Sequence, residues 1–293
     1  MSADVAFEER RLLGEGIELQ ADAWGDSGNP PVLLMHGGGQ TRHAWGGTAR
    51  TLAQRGWYAV SIDLRGHGES DWSPDGAYHL DHFVADLRAV AASFETRPIL
   101  VGASLGGMTA MAAEGEDPGS TGRALVLVDV GHRLERQGVA RIIEFMTADL
   151  EAGFGSLEEA AASVARFMPH RPRPRDLTGL RKNLREGPDG RWRWHWDPRF
   201  MGVHTGDDDS TPAGVPRIAD PERLERAAHG LKLPTLLVRG RMSDVLSEEG
   251  AEEFQRAVPH ARFVDVSGAS HMVAGDRNDV FTDAVVSFLD ALD

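Results

Sequence analysis

Short runs of consecutive apolar residues punctuate this chain. Between them lie longer stretches whose apolar positions recur every three or four residues. Val32-Leu33-Leu34-Met35, Tyr58-Ala59-Val60-Ser61-Ile62, Ile99-Leu100-Val101 and Ala124-Leu125-Val126-Leu127-Val128 are of the first kind. Such short runs, apolar at nearly every position, predict strands buried on both faces. Leu80 to Phe94 is of the second kind, with Leu80, Phe83, Val84, Leu87 and Val90 on one helical face. His43 to Arg55 and Ser104 to Glu114 also read as helices. Ahead of them, Phe7 to Trp24 alternates weakly and is broken by Gly14-Glu15-Gly16, the pattern of a β-hairpin. Strand and helix in alternation predict an α/β protein with a parallel sheet covered by helices on both faces.

The alternation stops after Val128. From Gly131 to about Gly230 no buried strand is legible. Arg136 to Leu150 and Ser156 to Phe167 read as helices, Pro169 to Arg175 breaks the chain, and Gly206 to Pro216 reads as a loop carrying Asp207-Asp208-Asp209. A last helix of this region begins near Leu224. The α/β pattern resumes with Thr235-Leu236-Leu237-Val238, a helix from Ser247 to Val258, a strand at Arg262-Phe263-Val264-Asp265-Val266 and a helix from Asp279 to Leu292. The expected organisation is a core over residues 1–130 and 231–293, interrupted by an inserted helical cap over 131–230.

Composition narrows the chemistry. At 293 residues and 41% hydrophobic, the chain can build a large core without staples. It has no cysteine, which excludes disulfides, thiolate metal sites and a Cys nucleophile. A formal charge of −14 repels phosphate backbones, so no nucleic-acid partner is expected. No apolar run approaches the roughly 18 residues of a membrane-spanning helix. The segment Met1 to Arg11 has acids and no apolar core, unlike a secretory signal, so the expectation is a cytoplasmic protein. No His and carboxylate spacing points to a metal, no phosphate-cradling loop carries its lysine, and no cofactor is expected. The sequence gives no reading of oligomeric state.

The sharpest motif is Gly102-Ala103-Ser104-Leu105-Gly106, which follows a predicted buried strand and opens a predicted helix. In that setting G-x-S-x-G marks a tight turn that exposes the serine hydroxyl, with the helix N-terminus aimed at the site. His36-Gly37-Gly38-Gly39 follows the third predicted strand, and Asp63-Leu64-Arg65-Gly66-His67-Gly68-Glu69-Ser70 follows the fourth. With these three motifs in this order, the chain resembles the α/β-hydrolase fold family, in its cap-bearing esterase, lactonase and haloperoxidase-like branch with a Ser nucleophile. The resemblance covers about residues 30–130 and 231–290. It implies a mostly parallel central sheet flanked by helices, with an inserted helical cap.

The resemblance implies a catalytic triad. Ser104 is the expected nucleophile, and His271, in the loop after the last strand, is the expected base. The acid belongs at a strand end between them in the chain. Asp244, after the penultimate strand, is preferred; Asp129, after Val128, is the alternative. Asp63 precedes the serine and reads as a turn organiser. The oxyanion donors are expected to be the amides of Leu105 and Gly38, with Gly39 an alternative to Gly38. Gln40, His43, Trp45 and Trp194 are candidate substrate contacts. Trp192, Trp194 and Trp196 alternate, as a pocket lining or as packing of the cap.

From Arg166 to Arg199 the cap carries a local charge of +6, leaving −20 for the rest. One reading is attraction of an anionic substrate; the other is ion pairing and solvation. An Asp nucleophile is missing, and both tyrosines, Tyr58 and Tyr78, precede the cap, which argues against epoxide or haloalkane chemistry. The functional expectation is a serine hydrolase cleaving an ester, lactone or related acyl bond of a small molecule. Carbon–carbon bond hydrolysis or perhydrolysis by the same triad is the first alternative, and a non-catalytic receptor on this fold is the second.

Overall fold

The structure is a computed structural model that describes residues 6–169, 176–202, 220–276 and 278–292. The expected hairpin forms from β1 (Phe7–Leu13) and β2 (Glu18–Trp24). The apolar runs become β3 (Pro31–Met35), β4 (Tyr58–Ile62), β5 (Ile99–Ala103), β6 (Ala124–Val128), β9 (Thr235–Gly240) and β10 (Arg262–Val266). Two further strands, β7 (Leu184–Glu186) and β8 (Trp192–Trp194), form a separate antiparallel hairpin. The main sheet has eight strands in the order β1-β2-β4-β3-β5-β6-β9-β10, parallel from β4 onward.

Strand periodicity sorts the core into two layers. Leu33, Met35, Leu125 and Leu127 point to one face, where they meet α2 (Leu80–Ala92), α3 (Leu105–Glu116), α6 (Pro221–Gly230) and α7 (Glu248–Ala257). Their neighbours Val32, Leu34, Val126 and Val128 point to the other face, against α1 (Gly46–Gln54) and α9 (Asn278–Leu289). Both faces of the parallel strands are therefore covered, which is why those strands read as unbroken apolar runs. A four-residue helix, α8 (Val273–Asp276), leads into α9.

The residues between β6 and α6 include α4 (Arg136–Thr147), α5 (Leu157–Phe167) and the β7–β8 hairpin. Ser156 caps α5 by accepting the Glu159 amide, a standard N-terminal stop. The segment docks on the core through its backbone. Asp197 N–H donates to Gly66 O at 2.8 Å, Gly68 N–H to His195 O at 2.8 Å, and Glu135 N–H to Val245 O at 2.8 Å.

One expectation changes: the insertion is not wholly helical, because three-residue strands with charged neighbours, such as Leu184-Arg185-Glu186, give no readable strand signal. Helix α6, inside the range expected for the insertion, packs on the sheet's own helices. Helix α6 lies along α3, with Gly115 packed so closely on the Ala227 carbonyl that no side chain fits between them. That helix belongs to the core. Most of the predicted break at Pro169 to Arg175, and the whole Gly206 to Pro216 loop, lie outside the described residues. Among the described residues, no helix is long and apolar enough to cross a membrane, and no cluster of His and carboxylates could hold a metal.

Candidate active site

Ser104 sits between β5 and α3 with φ 45° and ψ −111°. A non-glycine residue in this region is strained, and such strain concentrates at functional sites. The flanking glycines explain how the turn is tolerated. A side-chain carbon on Gly102 would lie 2.5 Å from the Gly106 and Gly107 backbone. One on Gly106 would lie 2.6 Å from the Met35 backbone oxygen. Strand and helix thus touch, and the serine is held at the tip. Gly106 N–H donates to His36 O at 3.2 Å, tying the helix start to the glycine loop after β3.

That loop has its own brace. The side-chain carbonyl of Gln40 accepts the Gly37 amide at 3.1 Å, and Gln40 Nε2 lies 2.6 Å from Met272 Sδ. Gly37 N–H is therefore committed. Among the described residues, the Gly38, Gly39 and Leu105 amides have no acceptor in the protein. Leu105 is the first residue of α3, where an amide has no partner within the helix.

His271 follows β10, and its side chain is 13% exposed. Its Nδ1 lies 2.7 Å from Asp129 Oδ2. Asp129 is fully buried at the end of β6, in the left-handed region at φ 51°. Its other oxygen accepts the Gly240 amide at 2.8 Å, and Ser243 Oγ lies 2.5 Å from Oδ2. With a carboxylate accepting Nδ1–H, the imidazole presents Nε2 as its basic nitrogen.

The preference for Asp244 is corrected by this arrangement. Asp244 is 37% exposed and pairs with Arg141 of α4 at 2.8 Å, so it faces the insertion rather than the imidazole. The cause is local packing. Gly138 of α4 abuts the Asp244 carbonyl directly, and Glu135 N–H holds Val245 O. The loop is thereby turned so that Ser243, and not Asp244, reaches inward.

Ser104, Leu105, Gly38, Gln40 and His271 all line one cavity of about 480 Å³, a usual size for a small-molecule site. Its far wall comes from the insertion: Val139, Ile142 and Phe145 of α4, Val164 and Phe167 of α5, and Trp194. The lining is predominantly apolar, and among the described residues it includes no Lys or Arg. Trp194 therefore stands where a substrate contact was expected, stacked on Trp196 with ring centres 5.0 Å apart. Phe145 and Phe167 stack beside it at 4.3 Å. Sequence reasoning missed these, although the helical spacing of Ile142, Phe145 and Met146 marks an apolar face on α4.

His43 and Trp45 do not line the cavity. Trp45 is buried in the other core layer against Phe281, and His43 Nδ1 lies 3.5 Å from Asp22. Among the described residues, four arginines of the insertion are engaged elsewhere. Arg193 pairs with Asp189, Arg199 with Asp197, Arg191 holds the Ala152 and Gly153 carbonyls, and Arg185 holds the Gly68 carbonyl. Asp63 organises the turn after β4, as expected, by accepting from Arg42 and from the Glu69 amide.

The sequence model of the Alpha/beta hydrolase family matches residues 32–284. Among curated proteins, the chain is 30% identical to Esterase Rv0045c of Mycobacterium tuberculosis, over 93% of this chain and 86% of that protein. It is 30% identical to 3-hydroxybutyrate-oligomer hydrolase of Cupriavidus necator, over 85% of each. Among solved structures, E-2-(acetamidomethylene)succinate hydrolase aligns with a TM-score of 0.79 at 24% identity, covering 97% of this chain and 99% of that one. A strained serine turn on a sheet of this order, together with a sequence match spanning most of the chain, places the protein in the alpha/beta hydrolase family.

Proposed function

We propose that this hydrolase cleaves a carboxylic ester with an apolar acyl or alcohol group, through an acyl-enzyme on Ser104. His271 Nε2 takes the hydroxyl proton as Ser104 Oγ attacks the carbonyl carbon. Asp129 holds the ring in the required tautomer and stabilises the imidazolium that forms. The tetrahedral oxyanion is received by the Leu105 and Gly38 amides, and the proton passes to the leaving alkoxide. Water, activated by the same imidazole, then hydrolyses the acyl-enzyme.

The observation that carries this reading is the convergence of a strained serine and an Asp-oriented imidazole on one apolar cavity. The names of its relatives, an esterase and a 3-hydroxybutyrate-oligomer hydrolase, support the bond type. An anionic substrate, and with it carbon–carbon hydrolysis of a carboxylate-bearing compound, finds no support in a cavity whose described lining lacks a cation. The insertion, supplying the far wall, acts as the lid that shapes the pocket.

The test is a series of p-nitrophenyl esters with lengthening acyl chains. Burial of each methylene contributes about 0.8 kcal/mol, so kcat/KM should rise about fourfold per added carbon until the cavity is full. Ser104→Ala should lose about 10⁴-fold or more in kcat. A fluorophosphonate should label Ser104 in the wild type. Undiminished turnover by Ser104→Ala would reject the mechanism, and a flat chain-length profile would reject the apolar specificity.

A further inference from the structure

Ser243 stands one residue before the carboxylate that the sequence favoured, and its hydroxyl is fully committed. Its oxygen accepts two amides, Val245 N–H at 3.1 Å and Leu246 N–H at 3.2 Å. A hydroxyl has two acceptor positions and one proton. With both positions filled, the proton is left for Asp129 Oδ2, 2.5 Å away. That oxygen is the one facing His271 Nδ1. Oδ1 is held separately by the Gly240 amide. The buried carboxylate is thus fixed at both oxygens by groups from the end of β9 and the loop after it, and the imidazole completes the set.

We propose that Ser243 is a positioning residue for the proton relay. Its hydroxyl, oriented by two backbone amides, fixes the rotamer of Asp129 and keeps Oδ2 aimed at the His271 ring. This role rests on the acyl-transfer reading above. Without the hydroxyl, the carboxylate swings about its Gly240 contact, the imidazole loses its orientation, and the chemical step slows. Substrate binding is unaffected, because Ser243 is not among the residues lining the cavity.

The experiment is a double-mutant cycle on a p-nitrophenyl ester, with Ser243→Ala, Asp129→Asn and the pair. Ser243→Ala should lower kcat about tenfold while KM stays within about twofold, and on the Asp129→Asn background it should change kcat by less than about twofold. Ser243→Thr, which retains the hydroxyl, should recover most of the rate. Ser243→Cys, a poorer proton donor, should fall between, and it carries the comparison if the alanine variant fails to fold. Equal losses on both backgrounds would mean a purely structural effect and overturn the proposal. So would a wild-type kcat in both Ser243→Ala and Ser243→Cys. An unimpaired Asp129→Asn alone would sink the relay itself, a result distinct from failure at Ser243.

Discussion

The imidazoles of His36 and His67 show how much of this fold depends on protons being absent. Both are fully buried, with ring centres 5.2 Å apart. His36 Nδ1–H donates to Gly37 O while Nε2 accepts the Leu64 amide, so the neutral ring links the glycine loop to the turn after β4. Burial pulls His36 down to about 4. Burial, with the neighbouring His36, pulls His67 down to about 3. Above pH ~6.5 the folded and unfolded chains carry these rings uncharged alike. Below it the unfolded chain takes up protons that the folded one refuses. Stability should therefore fall as pH drops from about 6.5 toward 4, by up to ~1.4 kcal/mol per pH unit for each ring. Urea unfolding at pH 7.5 and pH 5 measures this. Equal midpoints would contradict the burial of these two rings in neutral form.

At the scale of elements, Arg42 joins pieces distant in sequence. It opens a 3₁₀ turn, Arg42–Trp45, just before α1. Its guanidinium reaches Asp22 of β2 at 2.8 Å, Asp63 after β4 at 2.6 Å and Glu69 at 2.6 Å. Arg42 and Asp63 are almost completely buried, so removing the cation leaves uncompensated carboxylates inside the protein. Arg42→Ala should cost about 3–5 kcal/mol, read as a lowered denaturant midpoint with unchanged slope. A loss below about 1 kcal/mol would mean that the network is idle. Elements whose apolar period is unambiguous were readable in advance: β3, β5 and β6 as continuous runs, α2 as a face repeating at three and four. The β7–β8 hairpin was not, because three-residue strands carry too little local pattern to read; β8 also bridges to Phe154 through Trp192, a contact distant in the chain. Helix α6 was legible as a helix, but its membership of the core depends on the close approach of Gly115, which no periodicity encodes.

At the scale of the whole molecule, the site is assembled from strand ends that are neighbours in the sheet and distant in the chain. Ser104 follows β5, Asp129 follows β6, Ser243 lies beyond β9 and His271 follows β10, and these four strands are adjacent. Ser104 was legible because its turn requires glycines at fixed spacing. His271 was placed by its position between a last strand and a last helix. Which carboxylate meets the imidazole was not, since β6 and β9 lie side by side and each ends near an aspartate. What separates them is the loop turned by α4, and that contact spans residues 138 to 244. The most direct measurement is therefore kcat/KM for Asp129→Asn and Asp244→Asn beside the wild type, on the ester the wild type hydrolyses best. Asp129→Asn should fall by about 10⁴-fold through loss of the correct imidazole tautomer. Asp244→Asn, which gives up an exposed ion pair, should stay within about fivefold of the wild type. Collapse of Asp244→Asn with near-normal turnover by Asp129→Asn would contradict the relay described for this site.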